Sequence, residues 1–226
     1  MKLSIIVPVY NEEKTIKTVL EKLIGLEIDE WEKEIIVVND GSTDGTKNIL
    51  KTFTDRATII THDKNRGKGA ALKTGFSYAS GDAVIIQDAD LEYNPNDFTK
   101  LLDVFSHNNP VVYGARIVKK EGNIDWRYFL GGKLLTIAVN ILFGTRLRDM
   151  YTCYKLFSTE LIKSIDFTSC GFEFEAEITI KIIKRGIKIK EVPISYNPRK
   201  ITEGKKIRFK DGIIGLVTII QKRLDR

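Results

Sequence analysis

Ala83-Val84-Ile85-Ile86-Gln87-Asp88-Ala89-Asp90-Leu91-Glu92 joins a short apolar run to three acids spaced two apart, with Pro95 close behind. An unbroken apolar run of this length reads as a strand buried on both faces, the kind found inside a parallel sheet. Residues two apart in an extended chain point the same way, so Asp88, Asp90 and Glu92 can converge on one cation. Hard carboxylate oxygens suit Mg2+ or Mn2+, ions that commonly hold the phosphates of a nucleotide. The plainer alternative is a turn after a strand, where acids are ordinary. The rest of the chain decides between them.

Toward the N-terminus, residues 3–9, 34–39 and 57–61 read as strands. Helices are expected over 15–23, where Ile16, Val19, Leu20 and Leu23 recur at helical spacing, over 46–53 and over 70–79. Strand and helix in strict alternation mean an α/β fold with a mostly parallel sheet covered by helices on both faces. Ligands in such sheets bind beyond the carboxyl ends of the strands. Tyr10-Asn11-Glu12, Asp40-Gly41-Ser42, Arg66-Gly67-Lys68 and Asp88-Ala89-Asp90 each follow a strand and so share that edge. Neither Gly-X4-Gly-Lys-Ser/Thr nor Gly-X-Gly-X-X-Gly occurs, which excludes an ordinary P-loop or dinucleotide-dehydrogenase reading.

Past Pro95 the pattern changes. Helices are expected over 96–105, 125–143, 173–185 and 212–224, with strands over 111–113 and 187–193 and an extended segment over 149–157. The helix 125–143 is apolar around most of its circumference from Leu134 to Phe143, as a core helix or as one resting on a bilayer or a partner. Between the last strand and the last helix runs the basic segment 199–210, with Lys205, Lys206, Arg208 and Lys210.

At 226 residues and 42% apolar content, the chain is long enough for one domain with a substantial core. Its two cysteines, Cys153 and Cys170, show no zinc or redox spacing, so a reducing compartment is expected. No window approaches the roughly 20 apolar residues of a membrane helix. The net charge of +6, concentrated toward the C-terminal end, fits nucleic acid, an anionic membrane or a phosphorylated substrate. Aromatic and basic residues are not interleaved, so nucleic acid is not an expected partner.

With these residues in hand, the chain resembles the inverting family-two glycosyltransferases of GT-A fold, and among them the polyprenyl-phosphate and dolichol-phosphate mannose and glucose synthases. The likeness rests on Ile5-Ile6-Val7-Pro8-Val9-Tyr10-Asn11-Glu12, Val38-Asn39-Asp40-Gly41-Ser42-Thr43-Asp44-Gly45, Asn65-Arg66-Gly67-Lys68-Gly69, Asp88-Ala89-Asp90, Gly114-Ala115-Arg116 and Val192-Pro193-Ile194-Ser195-Tyr196. It implies a single catalytic domain over 1–226, with a nucleotide-binding half over 1–94 and an acceptor half over 95–226. Pro8, Tyr10, Glu12 and Asp40 are then expected to hold the nucleotide and Lys68 the donor phosphates. Asp88, Asp90 and Glu92 are expected around Mg2+ or Mn2+, Glu92 standing where related synthases often carry glutamine. Arg116 matches an arginine facing the acceptor phosphate, and Arg127 and Arg199 are further candidates for that role.

The expected reaction is in-line attack on the anomeric carbon of a nucleotide-sugar such as GDP-mannose or UDP-glucose. An acceptor that is a polyprenyl or dolichyl phosphate brings its own anionic oxygen and needs no strong base. An acceptor that is a sugar hydroxyl needs a carboxylate base, for which Glu173, Glu175 and Glu177 are candidates, unless they only serve the helix dipole. The absence of Gln-X-X-Arg-Trp and the presence of the basic segment favour the phosphate. A nucleotidyltransferase sharing fold and metal is the third reading. The expected location is the cytoplasm, in peripheral contact with an anionic membrane surface.

Overall fold

The computed structural model describes residues 1–118, 126–199, 206 and 209–225, and for 118, 126–129 and 209 the backbone alone. Seven strands form one sheet: β1 (Lys2–Val9), β2 (Glu32–Asn39), β3 (Thr58–Thr61), β4 (Ala83–Ile86), β5 (Val111–Val118), β6 (Lys155–Ser158) and β7 (Lys190–Tyr196). Their order is β3-β2-β1-β4-β6-β5-β7. Every neighbouring pair is parallel except those made by β6, which runs antiparallel to both β4 and β5.

The register is centred on β1, where Ile5 stands opposite Ile35 on one side and Ile85 on the other. All four residues of β4 are buried, as a central strand covered on both faces requires. The helices are α1 (Ile16–Gly25), α2 (Thr46–Leu50), α3 (Lys68–Tyr78), α4 (Phe98–Leu102), α5 (Trp126–Phe143), α6 (Thr159–Ser164), α7 (Phe174–Lys184) and α8 (Phe209–Leu224). The main core gathers β1, β2 and β4 with α1, α3 and a ring cluster around Phe76, Phe157, Phe167 and Phe174. A second, smaller core joins Leu135 and Val139 of α5, Ala176 and Ile180 of α7 and Ile219 of α8. Each fully buried Leu, Ile or Phe of this kind contributes about 1.5–3 kcal/mol.

Three differences from the sequence reading bear on the site. β5 continues through Gly114-Ala115-Arg116, because β7 pairs with it from Val112 to Val118. Of the expected extended segment only 155–157 is strand, continuing to Ser158, and its reversed direction brings its beginning to the edge where the parallel strands end. The short α6, capped by the Ser158 hydroxyl, was not expected.

Candidate functional site

The carboxyl edge of the sheet opens into a cleft of about 510 Å3, lined by residues from every strand end expected there: Pro8, Tyr10, Glu12, Asp40, Lys68, Asp88, Asp90, Glu92, Arg116 and Arg199. Arg127 lies in α5, but its side chain is outside the described residues, as are Lys205 and Arg208.

Asp40 follows β2 and is buried. Its Oδ1 accepts the Arg66 N–H at 2.9 Å and stands 2.7 Å from His62 Nδ1, while Oδ2 accepts the Gly67 N–H at 2.7 Å. Among the described residues Oδ2 keeps one lone pair, the acceptor a base N–H would need. The turn that Asp40 ties down requires glycine: Gly67 has φ +96°, and a Cβ there would sit 2.3 Å from the Cys170 carbonyl oxygen. That turn delivers Lys68 to the first turn of α3.

Lys68 Nζ lies 2.8 Å from Asp88 Oδ1 and 3.1 Å from Glu175 Oε1. Burial alone would lower the Lys68 ammonium, but these two carboxylates hold it well above its ordinary value. Burial likewise pushes Asp88 up, yet Lys68, the Cys153 thiol and Arg199 bring it below the usual carboxylate range. Asp90 goes the other way, raised to about 8 by burial and by the charges of Asp88 and Glu92, against the pull of Arg199. Two carboxylates two residues apart are thus driven in opposite directions, a mark of functional sites.

Arg199, just past β7, joins three of the cleft's acids, Glu12, Asp90 and Glu92. Its Nη1 donates to both Glu12 oxygens at 3.1 and 3.0 Å, its Nη2 donates to Asp90 Oδ2 at 2.9 Å, and its backbone N–H donates to Glu92 Oε1 at 2.8 Å. Lys206 donates to Glu12 Oε1 at 2.7 Å and to the Tyr10 carbonyl, with its ammonium 5.8 Å from the Tyr10 ring centre. The Arg199 guanidinium, expected to face an acceptor phosphate, is engaged by the carboxylates of Glu12 and Asp90.

The expected three-acid metal group does not assemble. Among the described residues no three acids, histidines or cysteines gather as a metal set. Glu92 is turned away to hold the β7 end: its Oε2 accepts the Tyr196 hydroxyl at 2.7 Å and its Oε1 the Arg199 N–H. Asp88 and Asp90 remain as hard oxygen donors, and Asp90, with more negative charge about it than Arg199 offsets, suits a divalent cation.

On the far side of the cleft, Arg116 in β5 is gripped by Asp149, and its guanidinium lies 4.9 Å from the Tyr196 ring centre. Asp149 is in turn fixed by its backbone N–H, which donates to Glu191 Oε1 at 3.0 Å. The α7 acids do not form a free base. Glu173 accepts the Gly171 N–H at 2.8 Å, and Glu177 accepts those of Thr168 and Ser169 at 3.1 and 2.8 Å. Burial would raise Glu177, but the Ser169, Lys181 and Lys222 contacts hold it at about 2. Glu175 lies between Lys68 and Lys155.

Sequence reasoning missed Asp149, Lys155 and the Tyr93–Tyr196 pair beside the cleft, whose ring centres are 5.2 Å apart. Asp149, Lys155 and Tyr93 sit in none of the motifs quoted above, and Tyr196 closes Val192-Pro193-Ile194-Ser195-Tyr196 but was given no place at the site. Cys153 and Lys155 reach the site only because β6 is reversed.

Residues 4–166 match the family described as Glycosyl transferase family 2. The chain belongs to that family. Its relatives include the dolichol-phosphate mannosyltransferase of Pyrococcus furiosus, 28% identical over 91% of this chain and 59% of that protein. Another is the dolichyl-phosphate beta-glucosyltransferase ALG5A of Trichomonas vaginalis, 30% identical over 97% of this chain and 72% of that protein. The chain spans 63% and 51% of two other family relatives, both from Haloferax volcanii. Among solved structures, glucosyl-3-phosphoglycerate synthase of Mycobacterium tuberculosis, in complex with Mn2+, UDP-glucose and phosphoglyceric acid, superposes with a TM-score of 0.75 at 21% identity, covering 100% of this chain and 80% of that one. The fold of this family 2 chain is GT-A, as the resemblance implied, on the mostly parallel sheet that the strand alternation led one to expect.

Proposed function

We propose that the chain transfers a hexose from a nucleoside-diphosphate sugar, GDP-mannose or UDP-glucose, to a polyprenyl or dolichyl phosphate with inversion at the anomeric carbon. The observation that carries this reading is that one cleft gathers a cluster of acids with a buried lysine and a rigidly held arginine, which we assign opposite tasks. Asp88, Asp90 and Lys68 form the donor wall, and Arg116, held rigid by Asp149, faces it from β5. The dolichyl-phosphate relatives support the acceptor class, and the solved complex with Mn2+ and UDP-glucose supports the donor class.

In this reading Pro8, Tyr10 and Glu12 border the nucleoside, and Asp40 Oδ2 accepts a base N–H. Asp88 and Asp90 hold Mg2+ or Mn2+, which when bound neutralises charge on the departing diphosphate. Lys68 adds a second positive charge at the same place, where electrostatic stabilisation is worth several kcal/mol. Arg116 orients the acceptor phosphate, whose anionic oxygen forms the new bond to the anomeric carbon as the bond to the diphosphate breaks. No base is required, in keeping with the engagement of Glu173, Glu175 and Glu177 by other groups. Glu92 passes from the metal set to a positioning task at Tyr196 and Arg199.

No helix among the described residues is long and apolar enough to cross a membrane. Yet α5 exposes Leu134, Ile137 and Ile141, and the adjoining α8 exposes Ile213, Val217, Ile220 and Leu224. The N-terminal turn of α8 borders the cleft through Lys210 and Asp211. This face suits peripheral contact with an anionic membrane, and sedimentation with anionic liposomes tests it.

The function is tested by incubating the protein with radiolabelled UDP-glucose or GDP-mannose, Mg2+ or Mn2+ and a polyprenyl phosphate in detergent. Label in the organic phase is the expected result. Nucleoside diphosphate released without it overturns the phosphate acceptor in favour of a hydroxyl, and pyrophosphate release overturns glycosyl transfer itself.

A further inference from the structure

Alternating charges run from the sheet interior to the floor of the cleft. Lys155 opens β6 and is fully buried. Its ammonium donates to the Met150 carbonyl at 2.9 Å, the Thr152 carbonyl at 2.5 Å and the Glu175 carboxylate, with the Tyr113 ring centre 4.8 Å away. Three acceptors use all three N–H bonds, so the geometry is that of the charged form. The other Glu175 oxygen faces Lys68 at 3.1 Å, and Lys68 touches Asp88 at 2.8 Å.

Lys68 is thus shared by two carboxylates, and only one of them adjoins Asp90. An ammonium seated on Asp88 opposes a divalent cation at the same oxygens, both by occupying a lone pair and by like charge. Glu175 offers that ammonium a second seat. The two carbonyls hold Lys155, and Lys155 holds Glu175 from behind against following Lys68 toward the cleft.

We propose that Glu175, anchored by Lys155, is a positioning residue that gives the Lys68 ammonium a second seat, so that a divalent cation can displace it from Asp88. The inference rests on the metal reading given above and goes beyond it, assigning the buried pair a task in metal uptake rather than in the chemical step.

Glu175→Gln alone leaves the Lys155 ammonium buried without a carboxylate, a change that threatens the fold. The double variant K155M/E175Q removes both charges and is the better probe. Mn2+ binding is measured without turnover, by the electron paramagnetic resonance signal of free Mn2+, in the presence of UDP and separately of GDP. Folding is followed by circular dichroism and Tm.

In the folded double variant Lys68 keeps Asp88 as its only carboxylate partner among the described residues, and the Mn2+ dissociation constant is expected to rise at least tenfold. In a Lys68→Met background the same double change is expected to move it less than threefold, because the competitor is gone. A folded double variant that binds Mn2+ like the wild type overturns the inference, as does an equal loss in the Lys68→Met background. A wild-type chain that takes up no Mn2+ with either nucleotide overturns the metal reading itself, and the inference with it.

Discussion

Asp149 grips the Arg116 guanidinium at two points, Nε to Oδ2 at 2.6 Å and Nη2 to Oδ1 at 2.8 Å, and accepts the Arg116 backbone N–H at 3.2 Å as well. A bidentate pair of this kind fixes the plane of the guanidinium, not only its charge. Asp149→Asn puts an NH2 group against one of the guanidinium donors and frees the plane to rotate. The expected outcome is a 10- to 100-fold loss in kcat/KM for the acceptor with the donor KM changed less than twofold. The stability loss from breaking the pair is about 3 kcal/mol. Steady-state kinetics varied in each substrate separately check it, and an equal effect on donor KM would assign Arg116 to the donor side.

Glu92 gives a sharper test of the metal set. Its two oxygens hold the Tyr196 hydroxyl and the Arg199 N–H, so Glu92→Gln keeps one acceptor and loses the other along with the charge. The expected result is a stability loss of about 1–2 kcal/mol, the size of a hydrogen bond to a charged group. Mn2+ affinity is expected to stay within threefold of wild type, whereas Asp90→Asn abolishes Mn2+ uptake and turnover together in a chain that still folds. A tenfold loss of Mn2+ affinity in Glu92→Gln would restore Glu92 as a ligand.

The parallel strands and the polar residues at their carboxyl ends were legible in the sequence because both depend on local signals. Apolar runs of four to eight residues mark the strands, and clusters such as Asp40-Gly41-Ser42 mark the loops at their ends. Pairing across distance was not legible. Asp149 meets Arg116 through β5, and Lys155 meets Glu175 through the reversed β6, neither of which any spacing records. The bonds of Glu92 were hidden for a related reason: the two-residue period of an extended chain ends with β4 at Ile86, and Tyr196 and Arg199, which Glu92 holds, come from the far end of the chain.

On the proposed metal reading, the raised Asp90 carboxyl is expected to make metal uptake depend on pH. Its folded value of about 8 lies above the unfolded 3.8, so between those values the folded state holds the proton and the unfolded state does not. Folding stability from this group is accordingly present below pH 3.8 and falls as pH rises toward 8. Mn2+ needs the ionised carboxylate, so its apparent affinity is expected to drop about tenfold per pH unit below 8 and to level off above it. Thermal melts across pH 6–9 with and without Mn2+ read both trends. The Tm gain on adding Mn2+ should grow with pH, and a gain independent of pH would contradict the Asp90 assignment.

Gly67 joins fold to function at a single backbone position. Its N–H donates to Asp40, its φ of +96° belongs to glycine, and a Cβ there would press within 2.3 Å of the Cys170 carbonyl oxygen. Since the obstruction is backbone, no side chain can turn aside to relieve it. Gly67→Ala is expected to cost about 2 kcal/mol or more from strain and displacement of the turn. It is also expected to weaken UDP or GDP binding by more than tenfold, because Asp40 and Lys68 lose their common support. Gly25→Ala is the matched control: it lies at the end of α1 with nothing within 4 Å of the added methyl group. That change should leave nucleotide binding untouched and raise stability by about 0.5 kcal/mol. Urea unfolding and nucleotide titration of the two variants separate the cases. If Gly67→Ala binds nucleotide like Gly25→Ala, the Asp40-tethered turn plays no part in the donor site.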